Sequence, residues 1–143
     1  MQNGVYVAVK ATRNMIDDIA GWMIDNNIVN PYPLSLIHTT IIYSRVYADV
    51  KLESNVFMRS NSSKTELFEN KNGTYSLVVT YTNYKIKRLH EYYMDRYSLS
   101  YDWIKYRPHF TISKDTTYRP GDDLPEYNGL IEFYEQYTED LIN

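Results

Sequence analysis

The chain has 143 residues, 43% of them hydrophobic and 23% charged, a composition that suits one packed domain and excludes disordered or collagen-like chains. Its formal net charge of −3 argues against nonspecific binding of long nucleic acid, so a phosphate-bearing ligand would need a local set of donors. The lack of cysteine excludes disulfides, thiolate catalysis and cysteine-ligated zinc together.

The N-terminal MQNGVYVAVKATRN has no basic segment followed by a long apolar one, and no stretch reaches the length of a membrane span. A soluble, cytoplasmic protein is expected. Gly4 to Lys10 alternates like a strand, with Val5, Val7 and Val9 on one side and Tyr6, Ala8 and Lys10 on the other. Thr12 can cap a helix whose apolar positions Met15, Ile16, Ile19 and Met23 recur at three- and four-residue steps. Trp22 and Ile24 widen that face, and Asn26 and Asn27 can end the helix. Pro31 and Pro33 impose an extended link before a strand from His38 to Ser44.

From about Tyr47 to Thr82 the pattern predicts strands at Val56 to Arg59, Thr65 to Glu69 and Tyr75 to Tyr81. Asn61-Ser62-Ser63 and Lys71-Asn72-Gly73 punctuate them, the second being a hairpin signal. Ile86, Leu89, Tyr93, Met94 and Tyr97 give a second helix, Tyr84 to Tyr97. A strand His109 to Ser113, a loop from Tyr118 to Pro125 and a last strand Leu130 to Tyr134 follow. Each half has a helix, a loop and a strand opening with His, which predicts an α+β fold of two similar lobes.

The two strands begin His38-Thr39-Thr40-Ile41-Ile42-Tyr43-Ser44 and His109-Phe110-Thr111-Ile112-Ser113. Residues two apart share a strand face, so His38 goes with Thr40 and His109 with Thr111. Ile41 and Tyr43, and Phe110 and Ile112, are expected on the opposite, core-facing sides. A single His-x-Thr is weak; the repetition is what carries weight. Breaking a phosphodiester needs a base on the attacking oxygen, an acid on the leaving oxygen and donors to the remaining oxygens. Two imidazoles, each able to serve near neutral pH, and two hydroxyls supply that set.

The paired His-x-Thr strands, 71 positions apart, resemble those of the 2H (two-histidine) phosphoesterase superfamily over nearly the whole chain. The resemblance implies a bilobal, LigT-like α+β fold, with two antiparallel sheets flanking a central cleft and helices outside. It implies a single domain, 1–143, of two pseudo-symmetric lobes, and metal-independent catalysis by His38, Thr40, His109 and Thr111. The Gly-Val-Tyr-Val-Ala-Val strand, Asn-Pro-Tyr-Pro before Leu-Ile-His-Thr-Thr, Arg-Pro-His-Phe-Thr-Ile-Ser and the acidic ending are similar to the phage anti-CBASS cyclic-oligonucleotide phosphodiesterases. That likeness implies cleavage of 3′–5′ bonds in cyclic di- or trinucleotides within the infected bacterial cell, against CBASS immunity.

By the same likeness Tyr6 would contact a base or the phosphate, and Phe68 would stack on a base. Glu135, or else Glu139, would read a base edge, against the ordinary expectation of a solvated acidic tail. Arg45 and Lys114 could steer phosphates from the strand ends, Trp103 is expected to pack beneath the second strand, and His90 to be structural. No Cys, no carboxylate at ligand spacing and no Gly-rich loop accompany the histidines, so no metal or cofactor is expected. Two alternatives keep the fold: a 2′,3′-cyclic phosphodiesterase of RNA ends, and a sponge that binds cyclic nucleotides without cleaving them. The sponge has no need of both an acid and a base. Oligomeric state is not legible from these residues.

Overall fold

Strand β1 (Gly4–Ala11) lies inside the larger sheet of the computed structural model, which describes residues 3–60 and 62–142. Its valines Val5, Val7 and Val9 are buried, as the alternation predicts. It pairs antiparallel with β2 (His38–Ser44) on one side and with β7 (Ile131–Leu141) on the other. Gly4 has a specific role here. A Cβ at this position would lie 2.0 Å from the Ser44 carbonyl oxygen, so the close approach of β1 to the end of β2 requires glycine.

A short strand, β3 (Met58–Ser60), completes the order β2-β1-β7-β3. The second sheet runs β4-β5-β6, formed by β4 (Ser63–Glu69), β5 (Tyr75–Tyr81) and β6 (His109–Ser113), again antiparallel. Helix α1 (Arg13–Asp25) starts where the Thr12 hydroxyl accepts from the Met15 N–H, and it buries Met15, Ile19 and Met23. Helix α2 (Tyr84–Tyr97) is capped by Asn83 in the same way, and buries Ile86, His90 and Tyr93. Tyr81 stacks on Phe133 at 5.8 Å, with Phe110 6.0 Å from Phe133, in a core that Ile41, Leu77 and Ile112 extend. Each such side chain, fully removed from water, contributes about 1.5–3 kcal/mol.

The edge strands β2 and β6 are where the sheets meet, and each is held by the loop that precedes the other. The loop after α1 bonds to β6: the Tyr32 N–H donates to the Ile112 carbonyl at 2.7 Å, and Ser113 Oγ donates to the Val29 carbonyl at 2.9 Å. The segment after α2 bonds to β2: the Tyr106 hydroxyl donates to the Thr40 carbonyl at 2.6 Å, and the Ser100 N–H donates to Ser44 Oγ at 3.0 Å. This reciprocal clasp fixes one histidine strand against the other.

Several expectations need correction. Ile24 is 76% exposed and does not widen the apolar face of α1, because Trp22 alone reaches Tyr127, edge-on at 5.5 Å. The strand expected at Val56 to Arg59 is Met58–Ser60; Val56 and Phe57 are exposed, and the pairing is with Phe133, Glu132 and Ile131 of β7. Ser63 opens β4 instead of ending a turn, and Asn61 lies outside the described residues. The last strand continues to Leu141, since β1 offers partners as far as Gly4. What reads as an acidic tail, Glu135 and Glu139 included, is therefore sheet. Many of the tyrosines have structural work: Tyr93 and Tyr97 hydroxyls accept from the Glu53 and Lys51 N–H groups and pin the irregular segment before β3.

Candidate active site

His38 and His109 are the first residues of β2 and β6, and both are half-buried. Their rings are held alike. His38 Nδ1 bonds the Leu36 carbonyl at 2.7 Å, and His109 Nδ1 bonds the Arg107 carbonyl at 2.8 Å, in each case two residues upstream. A carbonyl oxygen can only accept, so Nδ1 carries the proton and Nε2 is the nitrogen left for chemistry.

The likeness extends to the backbone. In β2 Ile41 has no partner on β1, falling between the pairs Thr40–Ala8 and Ile42–Val7; in β6 Ile112 falls between Thr111–Val78 and Ser113–Leu77. Both are β-bulges three residues beyond the histidine. In β2 the extra residue lets Ile41 and Ile42 both be buried and moves Tyr43 to the side of His38 and Thr40. Tyr43 was expected on the core side; simple alternation misses a bulge. Tyr6, opposite Tyr43 in the register, meets it edge to face at 6.3 Å, and its hydroxyl is 2.9 Å from Thr40 Oγ1. Burial pushes the Tyr6 hydroxyl well above its ordinary pKa, so it is a neutral hydrogen-bonding group.

Two cavities adjoin this pair, and Tyr6 and Tyr43 line both. One, of about 590 Å³, is lined by His109 and Thr40 with Phe68, Tyr101, Trp103, Lys105 and Arg107. The other, of about 810 Å³, is lined by His38 with Lys10, Tyr32, Lys114, Tyr137 and Glu139. Each histidine thus has its own cavity, and each cavity has two basic side chains on its wall despite the acidic net charge.

The family model for "Anti-CBASS protein Acb1" matches residues 3–143. The chain belongs to the Acb1 anti-CBASS family. An Acb1 of Salmonella phage S16 is 30% identical over 130 residues, 91% of this chain and 80% of that one, and the Acb1 of Acinetobacter phage Ac42 is 27% identical over 99% of this chain and 93% of its own. The Acb1 of Enterobacteria phage T4 is 29% identical over 77% and 71%. Among solved structures, E. coli LigT complexed with NADP+ aligns with a TM-score of 0.61 at 10% identity, covering 100% of this chain and 96% of LigT. LigT complexed with 3′-AMP aligns with a TM-score of 0.58, also at 10% identity. The architecture is accordingly that of the LigT-like 2H phosphoesterases, α+β with two antiparallel sheets, as the resemblance implied.

Against this Acb1 framework the remaining residues can be placed. Phe68 meets the His109 ring at 4.9 Å, edge to face, and Arg107 lies over Phe68 at 5.1 Å while ion-pairing with Glu66 at 2.7 Å. Thr111 is half-buried on the His109 side of β6 but is not on the wall of either cavity. Glu135 also lies off both walls, 3.0 Å from Lys10 in an exposed ion pair, whereas Glu139 is on the wall beside His38. Lys114 is there too, over the Tyr32 ring at 5.4 Å. Arg45 is on the wall of neither cavity; its guanidinium grips the Asp102 carboxylate. Trp103 does not pack beneath β6; it is 56% exposed on the cavity wall. His90 is structural, as expected: it stacks on Tyr106 at 4.0 Å, and Nδ1 bonds the Ile41 carbonyl at 2.6 Å. Sequence reasoning missed Tyr32, Tyr43 and Tyr137 as wall residues, and the signal available was the count of 16 tyrosines.

Burial lowers the pKa of His109 from its ordinary value, and the nearby His38 lowers it further, while its bond to the Arg107 carbonyl acts the other way. Among the described residues no group of three or more His, Cys, Asp or Glu could hold a metal ion, and no helix is long and apolar enough to cross a membrane.

Proposed function

We propose that this chain is a metal-independent phosphodiesterase that cleaves 3′–5′ bonds of cyclic di- or trinucleotide messengers in the infected bacterial cytosol and so counters CBASS immunity. What supports this reading above all is the matched presentation of His38 and His109, each with Nδ1 tied to a backbone carbonyl and Nε2 free, on adjoining strands of an Acb1-family chain. The names of the Acb1 relatives give the biological setting.

Residues 1–143 work as one 2H phosphoesterase domain of two pseudo-symmetric lobes. The ribose 2′-hydroxyl beside the scissile phosphorus attacks, its proton passing to the neutral imidazole, while the protonated imidazole gives its proton to the departing 5′-oxygen. The products are a 2′,3′-cyclic phosphate and a free 5′-hydroxyl, and water then opens the cyclic phosphate. Tethering of the 2′-oxygen gives this attack a high effective concentration. The burial that favours the neutral form of His109 supports His109 as the base, which leaves the role of acid to its partner in the pair. Thr40 and Thr111 donate to the non-bridging oxygens, Tyr6 supports the phosphate through Thr40, and Phe68 stacks on a base. Glu139 rather than Glu135 reads a base edge, because Glu139 is on the wall beside His38 and Glu135 is engaged by Lys10.

The test is mass spectrometry of products from a panel of cyclic dinucleotides, cyclic trinucleotides and a 2′,3′-cyclic mononucleotide, with 2′-O-methyl analogues. Linear products from the cyclic oligonucleotides, and none from the 2′-O-methyl analogues, are expected. Cleavage of the mononucleotide alone would point to RNA ends, and binding without any cleavage to a sponge; either would overturn the proposal.

A further inference from the structure

The cavity beside His109 has aromatic wall residues from two directions. Phe68 comes from β4, in the smaller sheet, and Tyr43 from β2, in the larger. Trp103 extends the Tyr43 side: its ring is 5.4 Å from Tyr43 and 5.2 Å from Tyr101. An indole left 56% exposed, with the rings of Tyr43 and Tyr101 half-buried against it, has open surface to offer a planar partner. It sits in a stretch with no helix or strand, between Ser98 and His109, so its position needs an external restraint.

That restraint is the residue next to it. Asp102 receives hydrogen bonds from Arg45 Nε at 3.1 and 3.2 Å and from Arg45 Nη2 at 2.9 Å, a fork that fixes orientation as well as distance. Arg45 immediately follows β2, its N–H donates to Ser100 Oγ at 3.1 Å, and its guanidinium lies 5.9 Å from the Tyr43 ring centroid. The ion pair therefore ties the Trp103 segment to the strand that carries His38, Thr40 and Tyr43. As a half-exposed pair it has little value for stability alone, and its geometric effect is the larger one.

We propose that Trp103 is a substrate-binding residue, the outer aromatic wall against which a nucleobase of the cyclic oligonucleotide stacks beside His109, and that Arg45 and Asp102 are a positioning pair that holds it there. This rests on the phosphodiesterase reading above. It assigns to Arg45 the placement of a ring and not the steering of phosphate.

The experiment measures kcat and KM on 3′–5′ cyclic GMP–AMP, and the dissociation constant of its 2′-O-methyl analogue, for wild type, Trp103→Ala, Asp102→Asn and the exchange Arg45→Asp with Asp102→Arg. Ile104→Ala, at a fully exposed neighbouring side chain, is the control. Trp103→Ala should raise KM and the dissociation constant about tenfold, within the range for loss of one base–aromatic stack, with kcat nearly unchanged. Asp102→Asn should move the same two constants by a few-fold, and the exchange should restore them in part. In a Trp22→Phe background, binding of the analogue should change the Trp103 fluorescence. Unchanged KM and dissociation constant in Trp103→Ala, with wild type active, would overturn the wall while leaving the phosphodiesterase reading intact. A fall in kcat alone in Asp102→Asn would overturn the positioning role. Wild type that neither binds nor cleaves would remove the functional reading and this inference together.

Discussion

Thr39 Oγ1 donates a hydrogen bond to the His109 carbonyl oxygen at 3.0 Å, and through it the strand of one histidine is tied to the backbone of the other. Its single hydroxyl proton is committed to that carbonyl, so at 2.6 Å Thr39 accepts from the Tyr81 hydroxyl, which is buried in the core. The intervening residue of His38-Thr39-Thr40 is thus as informative as the two that flank it.

Thr39→Val keeps the shape of this side chain and removes both bonds. It should destabilise the protein by about 1–3 kcal/mol, because a buried hydroxyl and a carbonyl lose their partners. Urea unfolding measures this, and Thr39→Ser should recover most of the loss. Stability equal to wild type in Thr39→Val would contradict the link.

Gly4→Ala puts a methyl group where the Ser44 carbonyl oxygen stands and must part β1 from the end of β2. A loss of about 1–3 kcal/mol is expected from overpacking at such a site, read as a lower urea midpoint. An unchanged midpoint would contradict the close approach.

Acid should weaken the fold through two histidines. Burial holds both His90 and His109 below their ordinary pKa, so the unfolded chain takes up protons first. Their contribution is full above the unfolded value near 6.5 and declines as pH falls through the folded values. Unfolding free energy measured between pH 7.5 and 5.5 should fall with acidification, and His90→Gln should show a shallower slope. A wild-type curve that is flat or rises towards pH 5.5 would contradict the assignment.

Most of this fold was legible because its signals are local. The strands His38–Ser44, Tyr75–Tyr81 and His109–Ser113 and the helix Tyr84–Tyr97 have the bounds that alternation and periodicity predict. What escaped depends on distant partners. The bulge at Ile41 exists only against β1, so Tyr43 was assigned to the wrong side. The continuation of β7 to Leu141 is licensed by pairing with Gly4, 137 positions away, so Glu139 read as a tail residue. The fork from Arg45 to Asp102 joins residues 57 apart, and neither neighbour of Trp103 announces that the indole faces a cavity. The paired His-x-Thr motif was visible because both copies carry it in sequence; their shared Nδ1 anchors are backbone groups and leave no trace there.

Activity should be unaffected by EDTA, since proton transfer by two imidazoles requires no Lewis acid. The rate on a cyclic dinucleotide is compared with and without chelator after dialysis. Loss on chelation, restored by added divalent cation, would overturn the metal-independent mechanism.

The most direct test of the account is the turnover number of His38→Ala and of His109→Ala on 3′–5′ cyclic GMP–AMP, each with its urea midpoint recorded. Both variants should remain folded and lose about 10²–10⁴-fold in kcat, the range for removal of one general acid or base. A folded variant of either histidine that turns over at the wild-type rate would contradict the acid–base pair.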